Sequence, residues 1–194
     1  MKLRGKSLVM VDLLDLVRVY ENSLSEDVCN RLIDKFEQFS DLQERVENDR
    51  KPNFTQLNLT AICNQDEELN HLHQILIKTT FDYKKDYYKF VDARCFPESH
   101  AFEQFRIKRY LTDGNDAFDC HVDVMDHSSA RRFLSFFWYL NNVDYGGETV
   151  FEGLTIKPVV GKLVVFPPMW MFPHIGKPPI GNTKYIISTY LHYK

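Results

Sequence analysis

Arg132-Phe133-Leu134-Ser135-Phe136-Phe137-Trp138-Tyr139-Leu140-Asn141 is the stretch from which the fold follows. Alternate residues of a strand point to opposite faces, and here both alternating sets are apolar. Such a strand needs cover on both sides, so it belongs inside a layered protein rather than on its surface. Outward from it, short apolar runs alternate with turn signals: 103–111, 120–125, 149–151, 154–158, 162–167 and 184–192. Asp113-Gly114-Asn115-Asp116, Gly146-Gly147 and the stretch from Pro158 to Gly161 punctuate them. Several short strands at this spacing argue for an all-β sandwich or barrel.

The first half reads differently. Val17-Arg18-Val19-Tyr20 has the pattern of a strand. Ser23-Leu24-Ser25-Glu26 fits a capping box, with Ser23 as N-cap and Glu26 reaching back. Leu24, Val28, Leu32, Phe36 and Phe39 then recur at helical spacing, which predicts an amphipathic helix over about 24–40. The charged segment 43–53 reads as a loop, and Phe54 to Ile62 as a strand. Leu69, Leu72, Leu76, Tyr83 and Tyr87 predict a longer helix over about 66–90. The expected architecture is α+β, mostly β: two helices against a double-stranded β-helix, or jelly-roll, barrel. Helical support would span about 20–92 and the jelly-roll core about 102–192. No repeat, low-complexity tract or linker interrupts the chain, so 1–194 reads as a single domain.

Composition narrows the function. A net charge of −3 gives no broad cationic footprint, which argues against nucleic acid as a partner. Lys51, Lys84-Lys85 and Arg131-Arg132 are too short as cationic runs to reverse that. Cys29, Cys63, Cys95 and Cys120 form no CxxC pair, so a zinc knuckle is not expected. Their sparse spacing suits free thiols in a reducing compartment, and the expected location is cytoplasmic. Asp12 and Asp15 interrupt the apolar N-terminal run and no small-residue cleavage site follows, so a signal peptide is rejected. No stretch approaches the length of a membrane span.

The chemistry is concentrated in His121, Asp123, His174 and Lys184. In Cys120-His121-Val122-Asp123-Val124, read as a strand, His121 and Asp123 point to the same face. With His174 from a distant strand they complete a 2-His-1-carboxylate facial triad, a donor set that suits Fe(II) and leaves coordination positions open. His174 lies in the apolar stretch Phe172-Pro173-His174-Ile175-Gly176, where an imidazole needs a partner. The strand Leu163 to Phe166 before it would lie beside the His121 strand. His127 shares parity with His121 but falls in the turn-like Asp126-His127-Ser128-Ser129 and is read as a loop residue, as is Asp126. His71, His73, His100 and His192 have no carboxylate at ligand spacing and are read as non-ligands. Lys184 opens the apolar strand Lys184-Tyr185-Ile186-Ile187-Ser188-Thr189-Tyr190-Leu191. Either its ammonium snorkels to solvent or it meets a carboxylate at the barrel base, with Ser188 on the same face. Tyr139, Trp138, Trp170 and Arg132 are the candidate substrate-lining residues, against ordinary packing as the alternative.

With these residues in place, the chain resembles the Fe(II)- and 2-oxoglutarate-dependent dioxygenases, and within them the prolyl 4-hydroxylase group. The resemblance runs from about Tyr110 to Leu191. It rests on His121-Val122-Asp123, on Arg132 to Asn141 followed by Gly146-Gly147-Glu148-Thr149-Val150-Phe151, and on His174 through Lys184. Ile156-Lys157-Pro158 and Gly161-Lys162-Leu163 continue it. The resemblance implies that His121, Asp123 and His174 hold iron. It implies that Lys184 binds the distal carboxylate of 2-oxoglutarate, with hydrogen bonds from Tyr110 and Thr149. The implied cofactors are Fe(II), 2-oxoglutarate and O2, with ascorbate as an optional addition. The implied reaction hydroxylates an aliphatic C–H, first of all in a peptidyl proline. A lysyl residue, a free amino acid or a small molecule stays open as the target, and so does a non-catalytic jelly-roll binding module.

Overall fold

The structure, a computed structural model, describes residues 12–48, 52–91, 94 and 96–194. Lys51, Cys95 and residues 1–11 of the segment weighed as a leader lie outside them. The described strands form two antiparallel sheets. The larger runs β1 (Arg18–Tyr20), β10 (Leu163–Phe166), β7 (Arg132–Tyr139), β12 (Lys184–Tyr193), β5 (Arg106–Tyr110), β3 (Phe54–Asn58) and β2 (Glu44–Val46) in that order. The short β4 (His100–Phe102) pairs with the far end of β12. The smaller sheet runs β6 (Phe118–His121), β11 (His174–Gly176), β8 (Thr149–Phe151) and β9 (Leu154–Ile156). This is the mostly-β jelly-roll expected, built as two facing layers; the strand ladders do not close into a barrel.

β7 divides the molecule. Leu134, Phe136 and Trp138 project from one face into a core shared with α1 (Glu26–Gln38) and α3 (Glu67–Tyr87). Leu32 and Phe36 of α1 and Leu69, Leu72 and Leu76 of α3 complete that core. Phe137 and Tyr139 project from the other face, where Phe151 and Ile156 of the small sheet and Phe166 of β10 meet them. Each large apolar side chain fully buried in this way contributes about 1.5–3 kcal/mol. The helices therefore cover the back of the large sheet, and the small sheet covers its front. A part-exposed ion cluster ties the two helices together: Lys35 Nζ lies 2.9 Å from Asp66 and 3.0 Å from Glu68.

Local chemistry moves several expected boundaries. The N-cap of α1 is Ser25, whose hydroxyl accepts from Val28 N–H at 3.3 Å; Ser23 instead donates to the Gly161 carbonyl. With Val28 three residues on, there is no side chain to complete a box, so the cap is one-sided. Segment 43–53 is not all loop, because Glu44–Val46 pairs with β3 as an edge strand. The strand expected from Phe54 to Ile62 ends at Asn58, whose side chain accepts from Ala61 N–H and starts the short helix α2 (Leu59–Ile62). The 120–125 strand begins earlier and stops at His121. The distant strand expected to carry His174 is β11, for which no sequence pattern sets bounds, and β10 lies between β1 and β7 rather than beside β6.

Candidate active site

The two sheets face each other across a cavity, and β6 and β11 carry two of its histidines as direct cross-strand partners, His174 opposite His121. Asp123 lies two residues beyond the end of β6, so the strand-parity reason for its position does not hold. It converges all the same: Asp123 Oδ1 is 3.6 Å from His121 Nε2. One ligand atom from each of His121, Asp123 and His174 falls within 4.8 Å of the others, and this is the candidate metal cluster found among the described residues.

Hydrogen bonding sets both imidazoles. His121 Nδ1 is 2.7 Å from the Asp119 carbonyl and His174 Nδ1 is 3.1 Å from the Phe172 carbonyl. A carbonyl only accepts, so each Nδ1 carries the proton and each Nε2 presents a lone pair. Packing fixes the rings: His121 stacks on Phe118 at 3.5 Å between centroids, and His174 sits 5.1 Å from both Phe151 and Phe166. Burial pushes the His174 pKa down, which keeps it neutral. Burial pushes the Asp123 carboxyl up, but the His121 hydrogen bond and the charges of His174, His121 and Lys108 outweigh it and hold it below the usual range. Two imidazoles, each anchored through Nδ1, and an ionised carboxylate fit a divalent metal.

Lys184 is 2% exposed at the inner end of the same cavity. It does not snorkel. Its ammonium donates to the carbonyls of Gly147 at 3.2 Å and Lys177 at 3.4 Å, and lies 4.4 Å from the Tyr110 ring centroid. Burial lowers its pKa to about 7, with the charge of Glu148 opposing that. A buried ammonium held only by neutral carbonyls fits an incoming carboxylate. Tyr110 is the cross-strand partner of Lys184, and Ser188 lines the same cavity two same-face steps further along the strand. Thr149 accepts a 2.6 Å hydrogen bond from the Tyr139 hydroxyl. The paired glycines before it are needed here. A Cβ on Gly146 would meet the Pro178 carbonyl at 2.4 Å, and one on Gly147 would press on the Lys184 side chain at 3.3 Å, both at positive φ.

The candidates for substrate contact separate. Tyr139 is fully buried and engaged with Thr149, not with the outer space. Trp138 faces the helical core and Trp170 stands 77% exposed, away from the cavity. Arg132 does line the outer groove of about 790 Å³ that opens from the cavity. It makes a forked pair with Glu103, 2.7 Å at each contact, and donates to the Asp123 carbonyl at 2.8 Å. His127 is exposed in its turn, and Asp126 caps that turn by accepting from Ser128 and Ser129. Sequence reasoning missed Lys108 and Tyr190, which line both the cavity and the groove.

Fold and site fit the class of Fe(II)- and 2-oxoglutarate-dependent dioxygenases that the sequence resembles, which use Fe(II), 2-oxoglutarate and O2. Residues 105–192 match the model of the 2OG-Fe(II) oxygenase superfamily. Its fold is similar to that of a prolyl hydroxylase from Trichoplax adhaerens solved with a hypoxia inducible factor oxygen degradation domain peptide fragment. That pair has a TM-score of 0.73 at 16% identity, over 91% of this chain and 83% of the other. The viral collagen prolyl hydroxylase of Paramecium Bursaria Chlorella virus-1, solved with 2OG, gives 0.65 at 17% identity over 92% and 97%. A Pseudomonas putida prolyl-4-hydroxylase gives 0.59 at 16% over 92% and 93%. No curated protein matches the sequence. No described helix is long and apolar enough to cross a membrane.

Proposed function

We propose that this chain is one dioxygenase domain that hydroxylates an aliphatic C–H of a peptide, with a prolyl residue as the target. The observation that carries the reading is continuity: a buried ammonium, a two-histidine, one-carboxylate cluster and an open groove follow one another along a single cavity. The solved structures of similar fold add the prolyl target. A cytoplasmic location goes with the proposal, on the free thiols of Cys29, Cys63 and Cys120.

In this reading His121, Asp123 and His174 hold Fe(II) through two Nε2 lone pairs and a carboxylate oxygen. The metal, 2-oxoglutarate and O2 supply the oxidising chemistry, with succinate and CO2 as coproducts. The remaining work belongs to the chain. Lys184 pairs with the distal carboxylate of 2-oxoglutarate, while Tyr110, Thr149 and Ser188 hydrogen-bond to it from the walls. Tyr139 fixes the Thr149 hydroxyl. Phe118, Phe137 and Phe166 line the cavity and limit water around the reacting atoms. Arg132 holds the Asp123 backbone while its fork to Glu103 keeps the groove wall in place. The substrate enters through the outer groove, whose size suits a bound peptide segment. The test is aerobic incubation with Fe(II), 2-oxoglutarate and proline-containing peptides. Succinate release together with a product heavier by one oxygen is expected. Oxygen appearing only on free amino acids or on lysine would overturn the prolyl target, and no succinate under any condition would overturn the enzyme.

A further inference from the structure

Lys108 lies between the two parts of the site. It belongs to β5, where Tyr110 is opposite Lys184 and Lys108 is opposite Ile186. Side chains two apart share a face, so Lys108 stands one step, about 7 Å along the strand, outward from Lys184 and Tyr110. It lines the inner cavity and the outer groove alike. Its ammonium lies 5.2 Å from the Phe54 ring centroid. Among the described residues it makes no hydrogen bond and no ion pair.

The other cations of this surface are engaged. Arg132 is forked onto Glu103, and Arg106 meets Glu103 and Gln104. Lys184 has two carbonyls. Asp123 is the charge that most favours the Lys108 ammonium, against a burial that lowers its pKa to about 8. In the loaded site that carboxylate serves the metal. Charges then close without Lys108. Iron(II) brings two positive charges, Asp123 one negative, 2-oxoglutarate two negative and Lys184 one positive, which sum to zero. Glu103 is shared by Arg132 and Arg106, and the remaining groove carboxylates, Asp119 and Asp126, are exposed, with Asp126 already saturated by its turn. Lys108 is left as an uncompensated charge at the place where a substrate must pass to reach the metal. A half-buried ammonium in that position needs an anion.

We propose that Lys108 is a specificity residue that takes a carboxylate of the substrate, so that the favoured substrates are acidic close to the hydroxylated residue. This rests on the peptide reading above. The carboxylate has two sources, an Asp or Glu side chain or the C-terminal carboxylate of a short peptide, and Lys108 would bind either in the same way.

The test is peptide selection on the chain loaded with Co(II) and 2-oxoglutarate in the absence of oxygen. Three random libraries are used: amidated peptides with a fixed central proline, amidated peptides with a fixed central alanine, and proline peptides with free C-termini. Wild type is expected to enrich Asp and Glu beside the central residue by roughly tenfold, as one charge-assisted contact gives. Lys108→Met should lose that enrichment and Lys108→Glu should replace it with Lys and Arg. A preference confined to free C-termini assigns the carboxylate to the chain end. Equal acidic enrichment around proline and alanine would overturn the prolyl target and leave the role of Lys108 standing. No acidic enrichment by wild type, or an enrichment that survives Lys108→Met, overturns the proposal. Melting temperatures and Co(II) titrations of both variants check that the site is still folded.

Discussion

Replacing Lys184 by Met should weaken the site and strengthen the fold at once. Met keeps the length of the stem and fills the same space without the charge. The ammonium is 2% exposed and is held by two carbonyls, with its pKa down from the usual 10.5 to about 7. At about 1.4 kcal/mol per pH unit, that displacement corresponds to roughly 4–5 kcal/mol against the charged form. Relaxation and water around buried charges reduce such figures, so a gain of about 2 kcal/mol is expected for the variant. In a chain of 194 residues this raises the melting temperature by about 4–8 °C. The sign depends on pH in a defined way. A lysine with a depressed folded pKa destabilises fully below about pH 7, where folded and unfolded chains are both protonated. Between about 7 and 10.5 the folded state releases its proton first and the unfolded state retains it, so wild-type stability rises with pH. The advantage of the variant should therefore be largest near pH 6 and gone above pH 10.5. Affinity for 2-oxoglutarate should move the opposite way, weakening by roughly 10- to 150-fold with the loss of a charge-assisted contact. The assays are thermal melts of the ligand-free protein at pH 6 and pH 9, and a 2-oxoglutarate titration of the Co(II) protein. A variant with unchanged melting temperature and unchanged affinity would mean that the lysine reaches solvent, and the cosubstrate pocket would have to be placed elsewhere.

Other outcomes follow from the same geometry. Asp123→Asn should lower metal affinity by at least about tenfold while leaving the circular dichroism spectrum intact, because the amide loses the charge but keeps the shape; a wild-type metal titration would exclude Asp123 as a ligand. His127→Ala should leave metal binding and turnover within about twofold, since that ring is exposed in its turn; loss of the metal would make it a ligand. Arg132→Met removes the fork and leaves Glu103 with Arg106 alone, at 3.4 Å, and should cost about 1–2 kcal/mol in chemical denaturation, with no change indicating that Arg106 and water replace the fork. Gly146→Ala places a Cβ 2.4 Å from the Pro178 carbonyl at φ +72 and should destabilise by more than about 2 kcal/mol; a neutral result would show that this turn moves freely.

What the sequence revealed and what it hid have the same cause. Phe133 to Leu140 is legible because burial on both faces leaves a continuous apolar run, and neither face can be exchanged for the other. His121 and Asp123 are legible as a pair because two potential ligands so close together invite a third, although the parity argument for them depended on a strand that stops at His121. The strand carrying His174 is three residues long and follows Pro173, so no periodicity could mark it. Lys108 was hidden by its neighbours. Arg106-Ile107-Lys108-Arg109-Tyr110 reads as a charged surface strand, yet Ile107 is fully buried against the helices. That one apolar residue was the available signal, since whatever alternates with it must face the cavity. Trp138 misled for the converse reason: size suggested a binding platform, while parity with Phe136 sends it to the helices.

The two-sided strand β7 has a consequence for how damage travels. Trp138 and Tyr139 are consecutive residues, one set among Phe36 and Leu72 and the other hydrogen-bonded to Thr149 beside the inner cavity. One backbone thus serves as the floor of the helical layer and the ceiling of the inner cavity. A void opened under α1 or α3, for instance by Leu72→Ala, reaches the catalytic side after crossing the thickness of a single strand. Screens that score such a variant only by turnover would register a binding defect and draw the pocket too large. The helices line none of the inner cavity, yet they back the strand that forms its wall, as the backing of a lens holds its curvature.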